Sequence, residues 1–166
     1  MSEKYAVFGN PIEHSKSPEI HRAFADQTGQ AIEYRRQLVD VEGFSAAADA
    51  FFHAGGKGLN ITVPFKLDAY SYVSRTTPRA RRAGAVNTLA MQADGTVLGD
   101  TTDGVGLVND IKTNLGWEIC AKRVLILGAG GAVRGILEAI LEEQPQHIVI
   151  ANRSVDKALQ LSKGFA

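Results

Sequence analysis

The first hundred residues alternate between short apolar runs, which predict strands, and apolar residues at helical spacing. Strands are predicted over residues 5–9, 34–39, 59–63, 85–91 and 96–98. Helices are predicted over residues 18–28, with Ser17 as the N-cap, over residues 44–52, directly after Pro64, and over residues 105–115 up to Gly116. In residues 59–63 the apolar side chains alternate with Asn60 and Thr62, so these two polar side chains share one face of the strand.

A second strand–helix–strand–helix unit begins near Lys122. Its strands are predicted over residues 123–127 and 147–151, and its helices over residues 133–141 and 155–162. Units of this order pair their strands in parallel through right-handed crossovers. The pattern therefore predicts the α/β fold class.

Composition narrows the classes of partner. Lys plus Arg and Asp plus Glu are 18 each, so the formal net charge is zero and neither nucleic acid nor an anionic membrane surface is favoured. We interpret the basic run of Arg75, Arg79, Arg81 and Arg82 as a solvated face. The single cysteine excludes an internal disulfide, and the four histidines show no ligand spacing, so no metal site is predicted.

No apolar stretch approaches the ~18 residues that span a bilayer, and the chain start resembles no signal peptide, so we expect a cytoplasmic protein.

A glycine-rich turn lies between the predicted strand 123–127 and the helix that follows it. Its residues are Gly128, Ala129, Gly130, Gly131 and Ala132. With Val133 they form a variant of the dinucleotide fingerprint, in which glycines let the backbone approach a pyrophosphate at the helix N-terminus. The alternative is a tight strand-to-helix turn without a ligand.

The choice of cofactor depends on the end of the next strand, about 20 residues after the fingerprint, where NAD-binding sites carry Asp or Glu. This chain instead has Asn152, Arg153 and Ser154, followed by Lys157. A guanidinium can bind a 2′-phosphate in two places, whereas a carboxylate would repel it. The sequence favours NADP over NAD, unless Arg153 and Lys157 are ordinary surface charges.

Several polar residues of the first half have both a structural and a chemical interpretation. Lys66 is predicted in the first turn of a helix, where the dipole disfavours a cation and favours the neutral, proton-transferring amine. Asp103 fits an ordinary helix N-cap, and Ser15 and Ser17 fit a turn and a cap. On an isolated strand, Asn60 and Thr62 would face solvent.

Considered together, six motifs closely resemble the shikimate dehydrogenase family, in the same order along nearly the whole chain. They read GNPIEHSKSP at residues 9–18, NITVPFK at 60–66, GAVNTL at 84–89, GDTTDG at 99–104, GAGGA at 128–132 and NRS at 152–154. The resemblance implies an N-terminal α/β substrate-binding domain over residues 1–103. A linking helix and the first part of a Rossmann-type NADP-binding domain would follow over residues 104–166.

The resemblance also implies the reaction and the site. Enzymes of this family reduce 3-dehydroshikimate to shikimate with NADPH, on the pathway to chorismate and the aromatic amino acids. Lys66 and Asp103 would be the catalytic pair. The residues implied in substrate binding are Ser15 and Ser17 for the carboxylate, with Asn60, Thr62, Lys66, Asn87 and Asp103 near the ring oxygens. The residues implied in cofactor binding are Gly128, Ala129, Gly130, Gly131, Ala132, Asn152, Arg153, Ser154 and Lys157.

Three alternatives remain open at this point. The chain could belong to a shikimate/quinate dehydrogenase, or to a relative that uses NAD, against which Arg153 argues. It could also be a fragment that binds shikimate without hydride transfer, because its 166 residues reach only the second strand of a dinucleotide fold. We expect an open sheet edge after residues 147–151. The expected partner is a small-molecule substrate, and a homodimer is compatible with the sequence.

Overall fold

The computed structural model describes residues 2–165. The strands are β1 (Glu3–Gly9), β2 (Ile32–Leu38), β3 (Gly56–Ile61), β4 (Arg75–Thr76), β5 (Thr88–Met91), β6 (Val97–Asp100), β7 (Arg123–Leu127) and β8 (His147–Ala151). The helices are α1 (Ser17–Thr28), α2 (Phe44–His53), α3 (Lys66–Tyr72), α4 (Pro78–Ala83), α5 (Asp103–Asn109), α6 (Gly131–Glu142) and α7 (Val155–Gly164). A π-helical turn (Asp110–Asn114) continues α5.

The strands form two sheets. Six of them have the order β2-β1-β3-β5-β6-β4, and β7 and β8 form a separate parallel pair. β1 runs parallel to both β2 and β3, whereas β5 runs antiparallel to β3 and to β6. The carboxyl ends of β1, β3 and β6 therefore meet the start of β5 at one edge of the larger sheet. Polar residues that follow these strands are gathered there.

An aromatic cluster stabilises one face of the larger sheet. The Phe8 ring makes edge contacts with Phe44 and Phe51, with centroids 6.3 and 5.9 Å apart. The Phe65 ring stacks on Phe44 at 5.5 Å and is fully buried. Burial of such a side chain contributes about 1.5–3 kcal/mol. Because Phe65 directly precedes α3, this cluster also fixes the position of Lys66, the first residue of that helix.

A second core lies between the smaller sheet and the helices α6 and α7. Its buried residues include Ile126, Val133, Leu137, Ile140 and Leu161. The spacing of Val133, Leu137 and Ile140 places one apolar stripe of α6 against β7 and β8, as the helical periodicity predicts. The opposite side of the small sheet exposes apolar side chains, among them Leu125, Leu127 and Val149.

Two glycines allow α5 and α6 to approach each other closely. A Cβ atom at Gly104 would lie 2.9 Å from the Ala139 Cβ and 2.9 Å from the Gly135 carbonyl oxygen. A Cβ atom at Gly135 would lie 2.9 Å from the Thr101 hydroxyl oxygen and 3.3 Å from an oxygen of Asp103. The helix that follows the glycine turn thus packs directly against the end of the larger sheet.

Several predicted elements match the structure, and some boundaries are wrong. The predicted strands 123–127 and 147–151 coincide with β7 and β8. Ser17 is the first helical residue and not the N-cap, which is Lys16. The helix predicted directly after Pro64 begins at Lys66, because the Phe65 N–H first closes a turn onto the Thr62 carbonyl at 3.0 Å.

Two further differences lie between residues 75 and 91. The predicted strand 85–91 begins only at Thr88, because the Val86 N–H bonds to the Lys66 carbonyl and not to a neighbouring strand. The sequence analysis did not predict β4 or α4. Among residues 2–165 no helix combines the length and apolar character needed to cross a membrane.

Candidate active site

A cavity of about 430 Å³ opens at the edge of the larger sheet where β1, β3 and β6 end. Its lining includes all seven side chains that the sequence resemblance assigned to substrate binding. These are Ser15, Ser17, Asn60, Thr62, Lys66, Asn87 and Asp103. They come from four separate segments of the chain, and the sheet topology brings them together.

Lys66 and Asp103 form an ion pair in this cavity. The Lys66 Nζ donates to the Asp103 Oδ2 at 2.5 Å, with 13% and 30% of the two side chains exposed. Lys66 begins α3 and Asp103 begins α5, so each helix start carries one member of the pair. An ammonium and a carboxylate held in contact beside a cavity can move a proton to or from a bound hydroxyl.

Asn87 holds the carboxylate from the other side. Its Nδ2 donates to the Asp103 Oδ1 at 2.8 Å, and its Oδ1 accepts the Thr102 backbone N–H at 3.0 Å. The N-cap residue of α5 is Thr102, and Asp103 is the first residue of the helix. The N-cap interpretation of Asp103 is therefore wrong, because its two oxygens bind the side chains of Asn87 and Lys66.

Asn60 and Thr62 line the cavity at the end of β3. Both side chains are partly buried there, because α1 and the loop after β1 cover this end of the sheet, whereas an isolated strand would leave them in open solvent. A Cβ atom at Gly9 would lie 2.6 Å from the Thr62 Cγ2. Glycine at the end of β1 therefore allows Thr62 to lie against the loop.

Ser15 and Ser17 lie where the loop after β1 leads into α1. The Ser15 hydroxyl donates to the Ser17 Oγ at 3.1 Å and accepts the Ser17 N–H at 3.3 Å. The Arg36 Nε donates to the Ser15 carbonyl at 2.7 Å, and the same guanidinium pairs with Glu19. Arg36 therefore fixes the loop to β2, and both serine hydroxyls remain beside the cavity.

Asp100 anchors the segment that carries Asp103. Its carboxylate accepts two bonds from Arg79, at 2.7 and 2.5 Å, and one from the Thr77 hydroxyl at 2.6 Å. Burial raises the pKa of the Asp100 carboxyl, but the bonds from Arg79, Thr77 and the Thr101 N–H outweigh this effect and lower it. Arg79 is thus held in an ion pair with Asp100 while 40% of its side chain stays exposed, so this member of the basic run is anchored as well as solvated.

The glycine turn presents unpaired backbone donors. Gly128 has φ +116°, and its N–H bonds to the Ala151 carbonyl at 2.7 Å, which joins the turn to the end of β8. Gly130 is the N-cap of α6, no side chain caps this helix, and open space surrounds the position of a Cβ at Gly130. The first N–H groups of α6 therefore fit an anionic group such as a phosphate.

The remaining predicted cofactor residues lie beyond β8. The Asn152 side chain bonds to the Ser154 carbonyl at 2.8 Å, and Arg153 and Lys157 are exposed. None of them lines the substrate cavity. The glycine turn is close to the ion pair, since a Cβ at Gly131 would lie 3.2 Å from the Lys66 Cβ.

Two residues at the site were not predicted: His21, which lines the cavity, and Tyr34, which bonds to the cavity-lining Asn60. Their rings stack with centroids 4.2 Å apart, and the Tyr34 hydroxyl donates to the Asn60 Oδ1 at 2.7 Å. Helical spacing from Ser17 to His21 and strand alternation from Tyr34 to Arg36 were the available signals. Burial lowers the pKa of His21, and a hydrogen bond to Asn60 offsets this only in part.

Within residues 2–165 no cluster of three or more His, Cys, Asp or Glu side chains has the geometry to hold a metal.

Comparisons with known proteins agree with this arrangement. Residues 7–89 match the family model described as shikimate dehydrogenase substrate binding domain. Residues 110–166 match the model described as shikimate / quinate 5-dehydrogenase. The NADP(+) shikimate dehydrogenase of Cellvibrio japonicus (strain Ueda107) is 61% identical over 165 residues, which are 99% of this chain and 59% of that protein.

Solved structures show the same fold. The Ael1 enzyme from Pseudomonas putida is 46% identical with a TM-score of 0.90, over 99% of this chain and 60% of that one. Shikimate 5-dehydrogenase from Thermus thermophilus, crystallised with NADP(H) and shikimate, is 31% identical with a TM-score of 0.89, over 98% of this chain and 60% of that one. The chain thus spans about three fifths of the length of these relatives. The two family models and the shared fold establish that this chain belongs to the shikimate dehydrogenase family.

Proposed function

We propose that this chain provides the substrate site and the acid–base pair of an NADP-dependent shikimate dehydrogenase. The reaction is the reversible reduction of 3-dehydroshikimate to shikimate, on the pathway to chorismate and the aromatic amino acids. The observation that carries the proposal is the cavity lined by seven polar side chains with the Lys66–Asp103 ion pair among them. The names of the relatives support the substrate and the cofactor.

The cavity suits a carboxylated ring with several hydroxyl groups. Ser15 and Ser17 offer adjacent hydroxyls for the carboxylate near the start of α1, where the helix dipole favours an anion. Asn60, Thr62 and Asn87 offer neutral polar groups for the ring oxygens. An unpaired polar group in such a site costs about 1–3 kcal/mol, so a ring that lacks one of these oxygens would bind less tightly.

Lys66 and Asp103 perform the proton transfer in this proposal. In the direction of reduction the C3 oxygen gains negative charge and needs a proton, which the Lys66 ammonium donates. Asp103 holds that ammonium at 2.5 Å, and Asn87 fixes the carboxylate. In the reverse direction the pair accepts the proton from the C3 hydroxyl. A group that positions and transfers a proton in this way contributes about 10²–10⁴ in rate.

The residues of the second unit fit NADP(H), which supplies or accepts the hydride when bound. The uncapped first turn of α6 after Gly130 fits the pyrophosphate, and the open space at the Cβ position of Gly130 leaves room for close approach. The exposed cations Arg153 and Lys157 suit the 2′-phosphate that distinguishes NADP from NAD. We assign residues 1–103 to substrate binding and residues 104–166 to the linking helix and the cofactor unit.

The test combines turnover and binding on the 166-residue chain. NADPH oxidation with 3-dehydroshikimate and calorimetric titration with shikimate are measured for the wild type, Lys66→Ala and Lys122→Ala. Lys122 is an exposed lysine remote from the cavity and serves as the matched control. We expect Lys66→Ala to lower turnover by about 10²–10⁴ while shikimate affinity changes far less. Lys122→Ala should behave as the wild type does.

The outcomes separate the alternatives. Unchanged turnover in Lys66→Ala would exclude the proton-transfer role of Lys66. Binding of shikimate without turnover by the wild type would favour a binding-only function, and absence of both signals would contradict the substrate assignment. Equal turnover with quinate or with NADH would favour a relative of broader specificity.

The proposal also covers location and assembly. We place the protein in the cytoplasm, where a reducing environment suits the exposed free thiol of Cys120. We treat the homodimer as an arrangement to be tested by light scattering on the same samples.

A further inference from the structure

One set of hydrogen bonds runs in a single direction from β2 to the Asp103 carboxylate beside the cavity. The Tyr34 hydroxyl donates to Asn60 at 2.7 Å, and the Asn60 Nδ2 donates to the Thr88 Oγ1 at 3.4 Å. The Thr88 hydroxyl then donates to the Asn87 Oδ1 at 2.8 Å. The Asn87 Nδ2 donates to the Asp103 Oδ1 at 2.8 Å, where the series ends. We call these five side chains the donor chain.

The direction of the donor chain follows from the chemistry of its end. An ionised carboxylate can only accept, so Asn87 must offer Asp103 its N–H and keep its Oδ1 for Thr88. Thr88 has one hydroxyl hydrogen, which Asn87 receives, so the Thr88 oxygen is left to accept from Asn60. The Asn60 amide must therefore direct its Nδ2 towards Thr88 and its Oδ1 away from it.

Tyr34 supplies the donor that this orientation of Asn60 requires. Its ring stacks on His21 and lines a second cavity of about 710 Å³, whereas His21 and Asn60 line both this cavity and the substrate cavity. Without the Tyr34 hydroxyl, the Asn60 Oδ1 would depend on the His21 ring, whose charged form burial disfavours by lowering the pKa. Burial raises the pKa of Tyr34, and a hydrogen bond from Ser17 only partly offsets this, so the phenol stays protonated at neutral pH.

We propose that Tyr34 is a positioning residue, whose hydroxyl fixes the Asn60 amide with its Oδ1 towards Tyr34 and its Nδ2 towards Thr88. Because Asn60 lines the substrate cavity, loss of this bond would free the amide to turn and would weaken the binding of shikimate there. Only this consequence for ligand binding rests on the proposed function. The orientation of the Asn60 amide does not depend on it.

The experiment compares Tyr34→Phe with Tyr72→Phe in the ¹⁵N-labelled 166-residue chain. Both variants lose one phenol hydroxyl and keep the ring. Tyr72 is a suitable control because its hydroxyl bonds to Asp49 at 2.7 Å, and Asp49 does not line the substrate cavity. The side-chain amide signal of Asn60 is assigned by its disappearance in Asn60→Asp. We expect Tyr34→Phe to shift that signal and Tyr72→Phe to leave it in place.

Shikimate titration provides the second readout. Loss of one hydrogen bond of about 1.4 kcal/mol corresponds to about tenfold weaker binding in Tyr34→Phe, with Tyr72→Phe unchanged. An Asn60 amide signal at its wild-type position in Tyr34→Phe would overturn the proposal, and so would unchanged shikimate affinity in that variant. If the wild type binds no shikimate, the proposed function fails, and the amide signal alone then decides the role of Tyr34.

Discussion

The close contact between α5 and α6 yields a quantitative prediction for Gly104→Ala. The added Cβ would lie 2.9 Å from the Ala139 Cβ, 2.9 Å from the Gly135 carbonyl oxygen and 3.2 Å from the Ile136 Cα. Two of these three atoms belong to the backbone of α6, so no side-chain rotation can relieve the overlap. The two helices must move apart, and Asp103, which is bonded to Lys66, directly precedes the mutated residue.

The magnitude is the difference between two opposing effects. Overpacking of a well-packed contact costs about 1–3 kcal/mol, whereas alanine in place of glycine within a helix gains about 0.5–1 kcal/mol. From the middle of the two ranges, we therefore expect the free energy of unfolding to fall by roughly 1 kcal/mol. For a chain of this size, the melting temperature should fall by roughly 2–4 °C.

The control is Gly106→Ala in the same helix. Gly106 has nothing within 4 Å of its Cβ position, so only the gain in helix stability applies. Its melting temperature should rise by roughly 2 °C. Thermal unfolding followed by circular dichroism measures both variants. A Gly104→Ala variant as stable as Gly106→Ala would refute the reasoning, because it would mean that α6 yields to the extra methyl group without cost.

Two further predictions concern charge. Asp100→Asn weakens the pairing with Arg79, so the free energy of unfolding at neutral pH should fall by about 1 kcal/mol, as measured by urea titration. The control is Asp26→Asn at an exposed position, which should leave the free energy of unfolding nearly unchanged. Folding lowers the pKa of Asp100, so the wild type should have the higher free energy of unfolding above the unfolded pKa of about 3.9. This difference between the wild type and Asp100→Asn should disappear as the pH falls through the folded pKa. A difference that persisted at lower pH would contradict the assignment. Arg153→Ala should weaken NADPH binding by about tenfold in fluorescence titrations and leave NADH binding unchanged, with Lys163→Ala as the control. An equal loss for both cofactors would exclude selection of the 2′-phosphate by Arg153.

The strands whose bounds were predicted correctly are those whose signals lie in the adjacent sequence. The strands 123–127 and 147–151 were predicted with the bounds that the structure has, because their β-branched and leucine residues are bounded by turn signals. The helix α4 was missed because its basic residues show no apolar period. Its ends nevertheless carried signals, since Thr77 accepts the Ala80 N–H at 3.3 Å and Gly84 closes the helix with φ +59°.

The candidate site was predictable as a set of residues but not as a set of contacts. Alternation placed Asn60 and Thr62 on one face, and the motifs supplied the other members of the set. Local preference could not decide whether Asp103 caps a helix or binds Lys66, because both roles suit a carboxylate at a helix start. The partner that decides it lies 37 residues away along the chain. Tyr34 was missed for the same reason, since its partner Asn60 lies on another strand.

Two glycines of α6 pack against the Lys66–Asp103 ion pair. In a dinucleotide fingerprint, glycines let the backbone approach the phosphates and pack closely. Here a Cβ at Gly131 would lie 3.2 Å from the Lys66 Cβ, and a Cβ at Gly135 would lie 3.3 Å from an Asp103 oxygen. Both members of the ion pair therefore lie directly against the helix that the glycine turn begins. Any side chain larger than hydrogen at these two positions would press on Lys66 or Asp103, so the packing of α6 limits where the two charged side chains can lie.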